Sequence, residues 1–216
     1  MTTSAKARGL AFAAAVAVIG YLAGLWGDWP MLRLITKPVP VLCLLILVLC
    51  RTGRYARLVA AGLAFSLAGD VLLEFPALFV AGLGAFLCAH ISYIMAFLTD
   101  STRPHLLRAV PFLVWLGLAY ARMRPGLGEM AIPVTVYVIA IGVMLWRAAA
   151  MGLAPGPRPA VIGAVLFGLS DTLIGLDRFH APISGVRYPI ILLYWAGQCG
   201  IALSSLPRPP VEPVSP

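Results

Sequence analysis

Charge is scarce in this chain. Only 11% of its 216 residues are charged and only eight are acidic, whereas a soluble domain carries about 25% charged residues. With 61% hydrophobic residues and a mean hydropathy of +0.96, that scarcity excludes a soluble catalytic domain. Any chemistry happens within or at the edge of a bilayer. The familiar soluble-enzyme motifs are missing too. There is no Gly-x-Ser-x-Gly, no His-Glu-x-x-His and no phosphate loop, so nothing supports a serine hydrolase, a zincin or an NTPase. The four cysteines (Cys43, Cys50, Cys88, Cys199) all fall in apolar runs, without Cys-x-x-Cys or zinc spacing. They read as small buried hydrophobes and exclude a disulfide framework. Long basic runs are also lacking. The net charge of +8 is scattered through short loops, which points to membrane orientation and anionic lipid and not to nucleic acid.

What is present is a series of apolar runs of the length that crosses about 30 Å of hydrocarbon. They lie at 9–26, 34–50, 58–74, 77–98, 106–121, 130–147, 160–177 and 187–205. The expected fold class is therefore all-α, a polytopic transmembrane bundle of eight spans. Its 21 Gly and 18 Pro suit membrane helices, which tolerate both. Residues 1–206 form one transmembrane domain, and 207–216 is a disordered, Pro-rich tail. The first run follows Lys6 and Arg8 but is too long for a signal peptide, so it is read as an uncleaved span. Of the sixteen Lys and Arg residues, Arg33, Lys37, Arg122, Arg124, Arg178 and Arg187 fall on the side away from the N-terminus. The majority lie with the termini, which places both termini in the cytoplasm of a multi-pass cell-membrane protein.

Two of the eight acidic residues sit a full turn or more inside the ends of spans. Asp70 follows Gly69 in span three, and Asp171 follows Ser170 in span seven. A central Asp costs roughly 2.5–3.5 kcal/mol on insertion scales, and intramembrane ionisable groups are functional by default. Spans three and seven run in the same direction, which puts the pair at similar depth in the outer half. The matched positions predict a four-plus-four internal repeat. Helical spacing gathers further polar groups around them. Ser66, Asp70 and Glu74 share one face of span three, and Asp171 and Arg178 share one of span seven. His90 and Tyr93 belong to an aromatic-polar stripe on span four, Tyr194 and Gln198 are one turn apart on span eight, and Lys37 opens span two ahead of Pro38. Each also has a plain structural reading: a core histidine, interhelical hydrogen bonds, a snorkelling lysine or a solvated helix end.

Two carboxyls in one low-dielectric cavity do not both ionise cheaply. One stays protonated near neutral pH as a general acid while the other serves as base or cation stabiliser. Glycosidases divide two carboxylates in this way to cleave an acetal C–O bond through an oxocarbenium-like state.

At these residues the chain resembles the YhhN-like, or lysoplasmalogenase, family of polytopic membrane proteins. The matching segments are Lys37-Pro38, Phe65 through Leu73, Phe79 to Gly82 with Ala85 through Ile94, Gly163 through Phe179, and Tyr194 with Gln198 before Ile201. The resemblance implies an eight-span hydrolase that cleaves the vinyl ether bond of lysoplasmalogens, giving a fatty aldehyde and a glycerophospho-ethanolamine or -choline. It maps the family's catalytic aspartates to Asp70 and Asp171. Vinyl ether hydrolysis needs one neutral acid and one nearby anion, with no metal or organic cofactor. In that scheme Ser66, His90, Tyr93, Tyr194 and Gln198 support and orient the carboxyls and water. Lys37 and Arg178 hold the lipid phosphate at the outer rim. Two other readings stay open on the residues alone: another intramembrane lipid hydrolase, metal-assisted through Asp70, His90 and Asp171, and a small proton-coupled transporter.

Overall fold

The computed structural model describes residues 2–152 and 158–206. Their regular structure is helical: α1 (Thr2–Trp26), α2 (Pro30–Thr36), α3 (Val39–Leu49), α4 (Arg54–Leu72), α5 (Phe79–Asp100), α6 (Val110–Met123), α7 (Ala131–Met151), α8 (Arg158–Phe179) and α9 (Arg187–Leu203), with short 3-10 turns between some of them. Seven segments are long and apolar enough to cross a membrane. Helix α9, with 17 residues, reaches about 26 Å at the usual helical rise and completes an eight-helix bundle. The chain is a multi-pass membrane protein. The expected tail at 207–216 lies outside the described residues.

One expectation needs correcting. Span two does not open at Lys37; it runs from Pro30 to Leu49 and breaks in the middle. Helix α2 stops at Thr36 and α3 resumes at Val39. Pro38 and Pro40 supply no backbone N–H, and their rings obstruct a continuous helix. Lys37 therefore sits at a break within the apolar segment. Such breaks are tolerated at membrane depth only where they face protein or a polar cavity.

The core is built on two close helix hairpins, α4 with α5 and α8 with α9. Small residues let the backbones and rings approach, the usual device where lipid is as apolar as the interface. A Cβ on Gly163 would lie 2.6 Å from the Gly197 carbonyl oxygen, and one on Gly200 would lie 2.8 Å from the Gly163 Cα. On α4, Gly62 receives the Tyr93 ring and Gly69 the Phe86 ring of α5. Phe86, Phe167 and Tyr194 then meet edge to face at centroid distances of 5.5–6.0 Å, an arrangement that aromatic quadrupoles favour. This aromatic wall ties the first hairpin to the second. An internal repeat of the whole bundle remains an expectation from the sequence.

Candidate active site

Asp70 is on the last turn of α4 and Asp171 two turns from the end of α8. Both line one cavity of about 410 Å³. It lies where α4 and α8 end and α9 begins, on the face opposite the start of α1. Both carboxylates are nearly sealed: Asp70 is 1% exposed and the Asp171 side chain 6%.

Their hydrogen bonds differ. Asp70 Oδ2 accepts from the Tyr194 hydroxyl at 2.8 Å, the one bond it makes among the described residues. Asp171 Oδ2 accepts from the Tyr137 hydroxyl at 3.0 Å and lies 3.0 Å from His90 Nε2. His90 is fully buried; its Nε2 also sits 3.1 Å from the Tyr137 oxygen, and its Nδ1 faces Met144 Sδ at 3.2 Å. With the Nε2 proton in place, two donors converge on one oxygen of Asp171.

One helical turn beyond Asp70, a second polar layer is closed on itself. Tyr93 donates to Gln198 Oε1 at 2.6 Å, and Gln198 Nε2 donates to Ser66 Oγ at 3.0 Å. All three are buried. This layer links α4, α5 and α9 directly beneath the Asp70–Tyr194 pair and touches neither aspartate. Ser66, Tyr93 and Gln198 thus hold the helices that carry the site. His90 and Tyr194 contact the carboxylates.

At the mouth, the break in span two turns Lys37 inward, where Nζ bonds Glu74 at 2.8 Å. Arg178 stacks its guanidinium 3.6 Å over the Phe79 ring, a cation–π contact that fixes the group without consuming its donors. Asp177 accepts the Ile183 N–H at 2.7 Å and so pins the loop before α9. Arg33 and Arg187 also line the chamber, so four basic side chains share it with the carboxyls of Asp70, Glu74, Asp171 and Asp177. Arg33 is paired with Asp28 and Lys37 with Glu74, which leaves Arg178 and Arg187, among the described residues, as the chamber's bases free to meet an anion. A second, narrow apolar pocket of about 50 Å³ abuts the chamber and shares Asp171, Phe79, Phe86 and Ile174 with it. Asp171 therefore stands where a polar chamber meets an apolar one. Among the described residues no three His, Cys, Asp or Glu side chains gather as a metal-binding set.

The sequence relationships agree with this geometry. The model of the YhhN family matches residues 32–205. The chain belongs to the YhhN family. Lysoplasmalogenase TMEM86B of Homo sapiens is 35% identical over 179 residues, covering 81% of this chain and 76% of that one. Lysoplasmalogenase TMEM86A of Bos taurus is 37% identical over 193 residues, with 82% and 79% covered. A lysoplasmalogenase of Mycobacterium tuberculosis is 37% identical over 156 residues, with 68% and 59% covered. No solved structure matches.

Within this YhhN-family chain, five residues singled out from the sequence, Asp70, Asp171, Tyr194, Lys37 and Arg178, line one chamber, and His90 contacts Asp171 from behind it. Sequence reasoning missed Tyr137, Met144 and Arg187. Tyr137 carried a signal: it is the sole aromatic hydroxyl of α7, in the middle of an apolar run. Met144 and Arg187 offered none that distinguishes them from an ordinary core residue and a helix-end base.

Proposed function

We propose that this protein hydrolyses the vinyl ether bond of lysoplasmalogens, with Asp70 as general acid and Asp171 as the ionised partner. The observation that carries the reading is the joint placement of both carboxyls in one chamber with a basic mouth and an apolar annex at Asp171. The names of the relatives support the substrate class.

The reaction begins when the protonated Asp70 carboxyl delivers its proton to the β-carbon of the vinyl ether, leaving an oxocarbenium ion. The Asp171 carboxylate stabilises that cation in a medium of low dielectric, where such attraction is far stronger than in water. As water adds to the cationic carbon, Asp171 takes a proton from it, and a hemiacetal forms. Asp171 then returns that proton to the glycerol oxygen as the C–O bond breaks, while Asp70 takes the hemiacetal hydroxyl proton. Aldehyde and alcohol leave, and both carboxyls are restored to their starting states. The cycle consumes one water and balances without a redox partner.

Tyr194 orients Asp70. Tyr137 and His90 aim Asp171. Arg178, Arg187 and Lys37 form the basic rim that receives the lipid phosphate. The rim faces the outer leaflet side if the termini are cytoplasmic, as the distribution of basic residues favours.

The test is aldehyde release by purified protein in detergent from a lysoplasmalogen and from its saturated alkyl-ether analogue. The expected result is aldehyde from the vinyl ether alone, at a rate unchanged by strong chelators. Release of fatty acid or phosphate instead would replace this reading with another lipid hydrolase.

A further inference from the structure

Between α6 and α7 the bundle leaves an apolar groove of about 330 Å³. Its borders include Leu113 and Ile139, 68% and 59% exposed, so it faces the surrounding hydrocarbon. Two of its residues, Leu116 and Val138, also line the narrow pocket that ends on Asp171. Three spaces thus follow one another: basic chamber, apolar pocket at Asp171, lateral groove. Toward the chamber side the groove is closed by the hydrogen bond between Tyr120 and Thr135, 2.7 Å. From Val138 to Trp146 it follows α7 for about 12 Å, away from the mouth, and ends where Trp146 Nε1 donates to the Pro104 carbonyl at 2.7 Å toward the opposite end of the bundle. That is the direction in which a chain runs from a headgroup held at the rim.

We infer that the α6–α7 groove is the binding site for the hydrocarbon chain of the lysolipid. The inference rests on the proposed function for the headgroup and reacting bond, and adds where the chain lies and how chain length is read. The chain passes between Leu116 and Val138, the two residues that the pocket and the groove share. Beyond them it lies against bilayer lipid, so the fatty aldehyde leaves sideways without crossing the chamber. Gly117 and Gly142 widen the groove. A Cβ on Gly117 would meet nothing within 4 Å, whereas one on Gly142 would already press on Leu116 at 3.2 Å. A large side chain at 117 grows into the groove without displacing the core.

Two measurements test this on the full-length protein. In the first, a saturated alkyl-ether lysolipid with a diazirine at the chain end is photolysed with wild-type protein, and labelled peptides are mapped. Labelling concentrated on α6 and α7 between Leu113 and Trp146, and displaced by excess unlabelled alkyl-ether lysolipid, is expected. Labelling spread over lipid-facing helices such as α1, or groove labelling that the lysolipid does not displace, overturns the inference and assigns the groove to bulk lipid. This readout needs no turnover. Groove labelling by a protein that releases no aldehyde would therefore reject the proposed reaction while leaving the chain site standing.

In the second, Gly117→Trp is compared with Gly9→Trp, a substitution on the exposed surface of α1 where a Cβ also meets open space. Gly117→Trp lowers the ratio of turnover on an 18-carbon to an 8-carbon alkenyl chain by about tenfold, since filled volume excludes the longer chain. Gly9→Trp leaves the ratio unchanged. An unaltered ratio in Gly117→Trp protein of wild-type melting temperature overturns the inference.

Discussion

Tyr137 meets Asp171 from a neighbouring helix. Its hydroxyl and His90 Nε2 address the same Asp171 oxygen at 3.0 Å each, while Asp70 takes a single bond from Tyr194. A hydrogen bond to a charged group contributes about 1.5–3 kcal/mol, so Tyr137→Phe lowers kcat by about 10- to 100-fold. KM for lysoplasmalogen stays within about twofold, because the bond acts on the carboxylate and not on the headgroup; steady-state kinetics separates the two. Asp171→Asn removes the anion and lowers aldehyde release by about 10²-fold or more. Lys37 and Glu74 make a different kind of pair, mostly buried with side chains 12% and 18% exposed. Lys37→Met alone strands the Glu74 carboxylate and costs about 3 kcal/mol. The Lys37→Met/Glu74→Leu double variant regains most of that loss in thermal melts in detergent. The aspartates were legible in the sequence because a charge inside a 20-residue apolar run contradicts its surroundings. Which oxygen each donor addresses was not, since it depends on how α5, α7 and α9 are rotated against α4 and α8.

Among the elements, the hairpin α8–α9 governs the site most directly. Ser170 and Asp171 lie on α8 and Tyr194 and Gln198 on α9, and the Ser170 hydroxyl donates to the Ile190 carbonyl across the pair at 2.9 Å. The backbones come together at Gly163, Gly197 and Gly200. Gly163→Leu forces them apart and is expected to lower melting temperature and aldehyde release together, while a Leu at the exposed Gly9 of α1 changes neither. Eight apolar stretches could be read from hydropathy, with boundaries within a few residues of those observed. The break at Lys37–Pro38 was not placed correctly. The helix formed at Pro30–Thr36 is what extends the span to the earlier residues. The glycines of α8 and α9 were visible as letters, but which pair of helices they bring together is a property of the assembled bundle.

At the scale of the whole molecule, the bundle is polarised. The basic mouth lies on one side, the carboxyls just beneath it, and the apolar pocket and groove lead away from both. From the distribution of basic residues we propose that the mouth faces outward. A Ser184→Cys variant, exposed in the loop before α9, in a background free of the four native cysteines, is expected to react with an impermeant thiol reagent added to intact cells. Labelling only after lysis would invert the molecule and place the headgroup site on the cytoplasmic face. The central claim, that Asp70 protonates carbon and Asp171 completes the hydrolysis, is tested most directly by turnover in heavy water with the aldehyde reduced as it forms. One deuterium at C2 of the product is expected from wild-type protein, and loss of that product in folded Asp70→Asn. Aldehyde without deuterium at C2, or deuterated aldehyde from Asp70→Asn at the wild-type rate, would contradict it.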